Sequence, residues 1–544
     1  MRTRPTFLAS FLLISAAGTA VAQQPNPPNQ PTDAANVGNA GQAPAGDTSA
    51  APAAAGPTAP AEGVAQPPAA PVAASPMPSV PPGPPVLPAP SAAATEPAPK
   101  VNPEAPLETG PVAVKGKWSP VLYGFVEFDS MHDSTESFND FMGNGAIANP
   151  TTYNGKHGRT QFGMRNSRLG FKLSAPESNG IKTTGIIEMD FLGNQPSNPA
   201  QAGNTAAAAV TESGYFSSPT FRVRHFALKL ENPYVDVLLG QYWQLFGWQT
   251  YFHPNTVEIQ GVPGQVFSRA AQARFSHVFK TDPVNIELAV AASRPPQRDS
   301  ETPDGQAGLR VMINDWKGVH TMGGAGTAAD AAAIGFSGTT RRFVLPAYQA
   351  PHTDKVSTTG WGVSTDVLLP IIPASMDDRS NALTLTGSWV VGRGIGDLFT
   401  GLSDGNTASW APPTAPAGAP AIAPYAPGNI NIDSGLVEFG STGKPHAIMW
   451  QAYMAGIQYY LPPSGKLWVS ANYSHMKSND ILLFVDPAAR AAIYNKAEWY
   501  DANVFLDVTI AARLGLEYAH TKQTFGNDTT RTNSRVQFSG WLIF

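Results

Sequence analysis

From Trp118 onward, apolar and polar side chains alternate in short runs. Leu122, Gly124, Val126 and Phe128 fall on one face of the first run, and Tyr123, Phe125, Glu127 and Asp129 on the other. In 181–193, Ile187, Met189 and Phe191 oppose Thr184, Glu188 and Asp190. In 283–293, Ile286, Leu288 and Val290 oppose Asn285, Glu287 and Ala289. A period of two predicts β-strands with one apolar and one polar face. The runs number about sixteen, and the pattern blurs only between Gln306 and Phe343, where Gly and Ala dominate.

The connections alternate in length. Turn-like stretches such as 176-PESNG-180, 232-NPY-234, 281-TDP-283 and 462-PPSG-465 are followed by long polar ones at 132–159, 194–219 and 394–446. Short turns at one end and long loops at the other predict an all-β, up-and-down antiparallel β-barrel in an outer membrane. The polar face carries carboxylates and guanidiniums in mid-strand, which suits a wet lumen, and the apolar face suits lipid. Aromatic residues at strand ends (Tyr459, Tyr460, Trp468, Trp499, Tyr500, Trp541) are expected to form interfacial girdles.

The N-terminal part has another composition. Arg2 and Arg4, the apolar run Phe7 to Ile14 and the sequence Ala20-Val21-Ala22 predict a signal peptide over 1–22, cut before Gln23. Residues 23–115 hold nearly half of the 52 prolines and no Phe, Trp or Tyr. Such a stretch cannot bury enough surface to order itself and is read as a disordered periplasmic linker before a barrel domain at 116–544.

Charge and chemistry narrow the function. The net charge of −5 gives no reason to expect nucleic acid, and the absence of cysteine excludes disulfides, thiolate metal sites and a lipoprotein anchor. The spacing of Asp129, Asp133, Glu136 and Asp140 is not that of a calcium loop, and the ten histidines have no metal-ligand spacing. Neither a nucleophile elbow nor a phosphate-binding loop is present, so no cofactor, metal or catalytic residue is assigned.

Several stretches resemble the DcaP-like trimeric outer-membrane porins: 166-NSRLGFKL-173, 222-RVRHFALKL-230, 239-LGQYWQLF-246 and 254-PNTVEIQGVPGQVFSRAAQARFS-276, with a weaker match in 389-WVVGRGIGD-397. The resemblance implies a homotrimeric diffusion channel for small anionic solutes such as dicarboxylates. It also implies that the third loop, 247–266, folds into the barrel, with Trp248, Tyr251, His253, Glu258, Gln260 and Gln265 as constriction residues. A coiled-coil segment often precedes the barrel in that family; the Pro-rich stretch here cannot make one.

Strand phase assigns the lumen charges. Leu169, Phe171 and Leu173 face lipid, so Arg168 and Lys172 face inward; Phe275 places Arg274 inward, and Leu309, Val311 and Ile313 place Arg310 inward. Arg222 and Arg224 are both read as lumen bases, which requires a bulge near His225, because the phases set by Phe221 and by Phe226 conflict. The inward acids are Glu127, Asp129, Glu188, Asp190, Asp236 and Glu287. Arginines on one wall and carboxylates on another are expected to set up a transverse field, and a guanidinium fork matches a carboxylate. At the other end of the chain, Val536, Phe538, Leu542 and Phe544 share the lipid face, and an aromatic Phe544 resembles the signal read by barrel-assembly machinery. The leading expectation is therefore a passive outer-membrane porin. A structural or adhesive barrel working through its Pro-rich arm, and a barrel hydrolase, are the alternatives.

Overall fold

The computed structural model of the chain describes residues 117–143, 145–193, 217–249, 251–258, 262–296, 300–348, 351–402, 432 and 435–544. The expected signal peptide, the linker and Gln260 lie outside the described residues. No helix among these residues is long and apolar enough to cross a membrane; the crossing elements are strands.

Sixteen strands make the wall: β1 (Ser119–Asp133), β2 in two runs (Arg159–Gly163 and Arg168–Ser174), β3 (Lys182–Gly193), β4 (Thr220–Glu231), β5 (Asp236–Trp243), β6 (Arg269–Lys280), β7 (Val284–Ser293) and β8 (Asp304–Met322) form the first half. The second half is β9 (Gly326–Pro346), β10 (Lys355–Ile372), β11 (Leu383–Arg393), β12 (Met449–Tyr460), β13 (Leu467–Ser478), β14 (Tyr494–Asp507), β15 (Ala512–Phe525) and β16 (Thr530–Ile543). Each pairs with its sequence neighbours, and β1 pairs antiparallel with β16 from Phe125↔Ile543 to Asp133↔Arg535. The ring therefore closes. Closure leaves no strand edge to be satisfied in hydrocarbon, which is why an irregular sheet could not take this place.

Register follows the alternation. Leu122, Val126, Phe128, Val536, Phe538, Leu542 and Phe544 stand exposed on the outside, while Glu127, Asp129, Arg535, Gln537 and Ser539 are buried within. Beside the seam, Gly124 and Phe544 exchange two backbone hydrogen bonds of 3.0 Å. Gly124 has φ +152°, and a Cβ there would lie 2.1 Å from the Arg168 carbonyl oxygen, so only glycine fits.

The girdle expectation is corrected at four of its six residues. Tyr500 is exposed on the outside, but Tyr460, Trp468, Trp499 and Trp541 are buried on the inner face. They point inward because the lumen is not simply a wet pipe: apolar segments of loops and turns pack against them. Long loops gather at one mouth and short turns at the other, with Phe544 at the short-turn end. Two loops matter here, L3 (residues 244–268) and L6 (residues 394–448). L6 contributes Ile395, Leu398 and Phe399 to an apolar cluster with Trp450, Ile481 and Tyr494 near the long-loop mouth.

Candidate functional site: the lumen and its crossing loop

L3 leaves β5 and runs inside the barrel. Its first N–H groups, those of Leu245 and Phe246, donate to Gln306 Oε1 on β8 at 2.9 and 3.1 Å. Gly247 N–H reaches Ser337 Oγ on β9 at 2.8 Å, and Trp248 Nε1 donates to the Phe336 carbonyl at 2.9 Å. The wall is built to receive this indole: a Cβ at Gly335 would lie 2.8 Å from Trp248 and 2.9 Å from Phe252. The loop then crosses to the far side. Asn255 Nδ2 donates to Ser470 Oγ on β13 at 3.0 Å, and its carbonyl accepts from Asn472 Nδ2 at 2.6 Å. The N–H groups of Val257 and Glu258 both donate to Glu517 Oε2 on β15, at 2.5 and 2.7 Å. On the return, Gly264 and Phe267 donate to the L6 carbonyls of Thr400 and Leu398, each at 2.8 Å. Buried backbone donors rarely go unpaired, and here the lumen wall and L6 supply the acceptors.

The six loop residues singled out by sequence have distinct surroundings. Trp248 and Tyr251 hold the guanidinium of Arg310, which lies 3.5 Å from the Tyr251 ring centroid and 5.5 Å from that of Trp248. His253 is buried among Trp243 and Phe267, with ring centroids 5.9 and 5.2 Å away. That desolvation pushes its pKa down to about 3. Glu258 accepts from the Met142 N–H at 3.0 Å, and the Gln265 carbonyl from the Thr400 N–H at 2.9 Å. Gln260 lies outside the described residues.

The sequence-assigned charges gather in two groups and a remainder. On β2–β4, Glu188 Oε1 lies 2.6 Å from Arg224 Nε and 3.8 Å from Arg168 Nε, and Glu188 Oε2 accepts from the Tyr123 hydroxyl at 2.9 Å. Arg222 forks onto Asp190, with Nε donating to Oδ1 at 2.9 Å and a second, closer contact to Oδ2. Lys172 sits over the Tyr123 ring at 5.0 Å. Arg224 is the extra residue of a bulge: Glu188 pairs with His225 and Met189 with Val223. Arg224 and His225 are thus both buried, between exposed Val223 and Phe226. A second group joins Arg310 to Glu287 at 2.5 Å. Arg274 donates to Gln272 Oε1 at 3.1 Å and also to the Trp243 carbonyl; Asp236 is half-buried at the foot of β5.

The remaining acids lie apart from these. Asp129 accepts from Ser539 Oγ at 2.5 Å and Gln537 Nε2 at 3.1 Å, and Glu127 from Asn166 Nδ2. The expected separation of signs holds only in net terms. Within β2–β4 acids and bases interleave as pairs, because a buried carboxylate left alone would be costly. Across β2–β7 the inward bases Arg168, Lys172, Arg222, Arg224, Lys229, Arg269 and Arg274 outnumber the acids Glu188, Asp190, Glu231, Asp236 and Glu287. Across β14–β1 the buried acids Asp501, Asp507, Glu517, Glu127, Asp129 and Asp133 outnumber Arg513 and Arg535.

Sequence reasoning passed over several inward charges. Arg341 binds Asp304 at 2.9 Å and Asp397 of L6 at 2.5 Å. Arg513 binds Asp507 at 2.6 Å, and Glu517 anchors L3. The phase signal was available for Arg513 and Glu517, which flank exposed Leu514 and Leu516. For Arg341 the adjacent Arg342 obscures it.

No family model and no curated protein matches the sequence. Among solved structures, the outer membrane channel DcaP of Acinetobacter baumannii aligns with a TM-score of 0.53 at 16% identity, covering 78% of this chain and 97% of that one. The trimer form of OmpT from Vibrio cholerae and an anion-selective porin from Comamonas acidovorans each align with a TM-score of 0.41 at 11% identity, covering 79% of this chain and 100% of theirs. The resemblance read from the sequence motifs therefore extends to the fold: this sixteen-stranded barrel aligns along nearly the whole of the DcaP channel.

Proposed function

We propose that the protein is an outer-membrane channel of the porin kind, without enzymatic activity, that passes small hydrophilic solutes and prefers anionic ones such as carboxylates. The observation that carries this is L3, which crosses the lumen of a closed, lipid-facing barrel beside a wall with an excess of bases. A pore's chemistry is its radius and the charge along it, and guanidiniums recognise carboxylates through a planar fork. The cations with the strongest claim are Arg168, Lys172, Arg222, Arg224, Arg274 and Arg310. Glu127, Asp129, Glu188, Asp190, Asp236 and Glu287 are their counterweights. The working form is a homotrimer in outer-membrane lipid, exported by the N-terminal signal, with residues 23–115 as a periplasmic linker and Phe544 presented to the barrel-assembly machinery.

Reconstitution into a planar bilayer tests the reading. Discrete ohmic steps are expected, with a reversal potential in a salt gradient that reports anion preference. A barrel that inserts and shows no steps would point instead to a structural or adhesive role. A cation-selective reversal potential would remove the carboxylate preference and leave the channel.

A further inference from the structure

The eighth and ninth strands do not end where the wall ends. The β7–β8 ladder stops at Ile313, and the β9–β10 ladder begins at Ala333. Between them the β8–β9 ladder runs on alone, from Ala331↔Lys317 to Gly326↔Met322, after an irregularity that loops out Asn314, Asp315 and Trp316. The free hairpin turns into the lumen at the short-turn mouth. Lys317 to Met322 reaches about 20 Å at about 3.3 Å per residue, and the whole tip from Gly318 to Gly326 is buried.

Its partners identify the direction. Thr321 N–H donates to Gln458 Oε1 at 2.7 Å, its carbonyl accepts from Gln458 Nε2 at 2.8 Å, and its hydroxyl lies 2.7 Å from the Tyr460 hydroxyl on β12. Arg513 on β15 donates to the Gly324 carbonyl at 2.6 Å and to Thr327 Oγ1 at 2.9 Å. Val319 and Ala325 enter an apolar cluster with Tyr460, Trp468, Phe505, Trp541 and Val257 of L3. Gly324 N–H meets Asn255 Oδ1 of L3 at 3.1 Å. β8 and β9 stand halfway round the ring from β16 and β1, so the hairpin bridges the mouth. It leans on β11–β16, whose inward carboxylates Asp501, Asp507 and Glu517 belong to the acid-rich stretch β14–β1. Its β9 strand, Thr327–Ala331 with Asp330, is only half-buried.

We propose that this hairpin is a second filter in series with L3: it seals the β11–β16 half of the short-turn mouth and confines passage to the half lined by β2–β7, with Asp330 on the edge of the remaining opening. The proposal rests on the channel reading and deepens it, since anion preference then comes from which half of the lumen stays open. Two layers touching at Asn255 leave the acidic wall sealed behind packed side chains, and the basic wall is left to face the solute.

Three proteins measured in planar bilayers test this: the full chain, a chain with residues 317–331 replaced by an Asn-Gly turn, and Asp330→Asn. Shortening is expected to raise single-channel conductance and move the reversal potential away from anions, because the β14–β16 carboxylates become accessible. Asp330→Asn leaves the packing in place and is expected to move the reversal potential toward anions. An unchanged reversal potential in the shortened chain, with or without a larger conductance, overturns the filter. If the shortened chain fails to assemble, the Asp330→Asn result decides alone, and no shift there overturns it. Steps absent from both the full and the shortened chain overturn the channel reading and the filter together; full-chain steps that neither change affects overturn the filter only.

Discussion

At the scale of single residues, the lumen wall is governed by pairing. Glu188 is buried and satisfied by Arg224, Arg168 and Tyr123. Removing one partner of a buried ion pair costs about 3–5 kcal/mol, because the other charge is stranded. Arg224→Ala is therefore expected to lower the temperature at which the folded barrel converts to its unfolded band on a gel. The double variant Arg224→Ala with Glu188→Gln is expected to recover part of that loss; no recovery would mean that packing around the bulge, rather than charge, sets the cost. The bulge itself was legible from the sequence because two apolar phases, Val223 and Phe226, collide across Arg224 and His225. The pairing was not, since the alternation tells which face a charge takes and says nothing of which neighbour it meets across the strands.

At the scale of elements, L3 and the β8–β9 hairpin behave as inserted cores rather than as loops. L3 buries Trp248 and Phe252 in a seat shaped by Gly335. Gly335→Val would push a side chain into that seat, at a typical overpacking cost of about 1–3 kcal/mol. Wider conductance fluctuations are expected while the barrel itself still forms. His253 adds a pH dependence to the same element. Its pKa is about 3 in the seated loop and about 6.5 when hydrated. An unseated loop then binds a proton that the seated one does not, so seating is at full strength above about pH 6.5 and weakens as pH falls toward 3. Channel noise at pH 4.5 is expected to exceed that at pH 7, and His253→Phe is expected to reduce the difference. L3 was visible in the sequence through the family resemblance carried by its 254–276 motif. The hairpin was not: its Gly/Ala run has too little contrast for an alternation to show, and small residues are what lets a hairpin pack inside a barrel. For the same reason Tyr460, Trp468 and Trp541 read as lipid-interface girdles until the hairpin supplied them with an inner partner.

At the scale of the whole molecule, the decisive event is closure of the sheet. Strand number and the outer apolar band were legible because lipid demands strict alternation on every strand, whereas loop filling leaves no periodic trace. Closure depends on the short seam where β1 meets β16, and Phe544 lies at its end, its backbone paired with Gly124 and its side chain exposed on the lipid face. A carboxylate at that position would face the membrane at the point where the last strand docks, a cost that depends on depth in the bilayer. Phe544→Asp is therefore expected to reduce the amount of closed, heat-resistant barrel recovered from the outer membrane. The interior is untouched by this change, because the side chain points away from L3 and the hairpin. Those barrels that do close are then expected to show wild-type conductance and reversal potential. Normal yield would remove Phe544 from the assembly step, and altered conductance would mean that the seam shapes the pore as well as closing the wall.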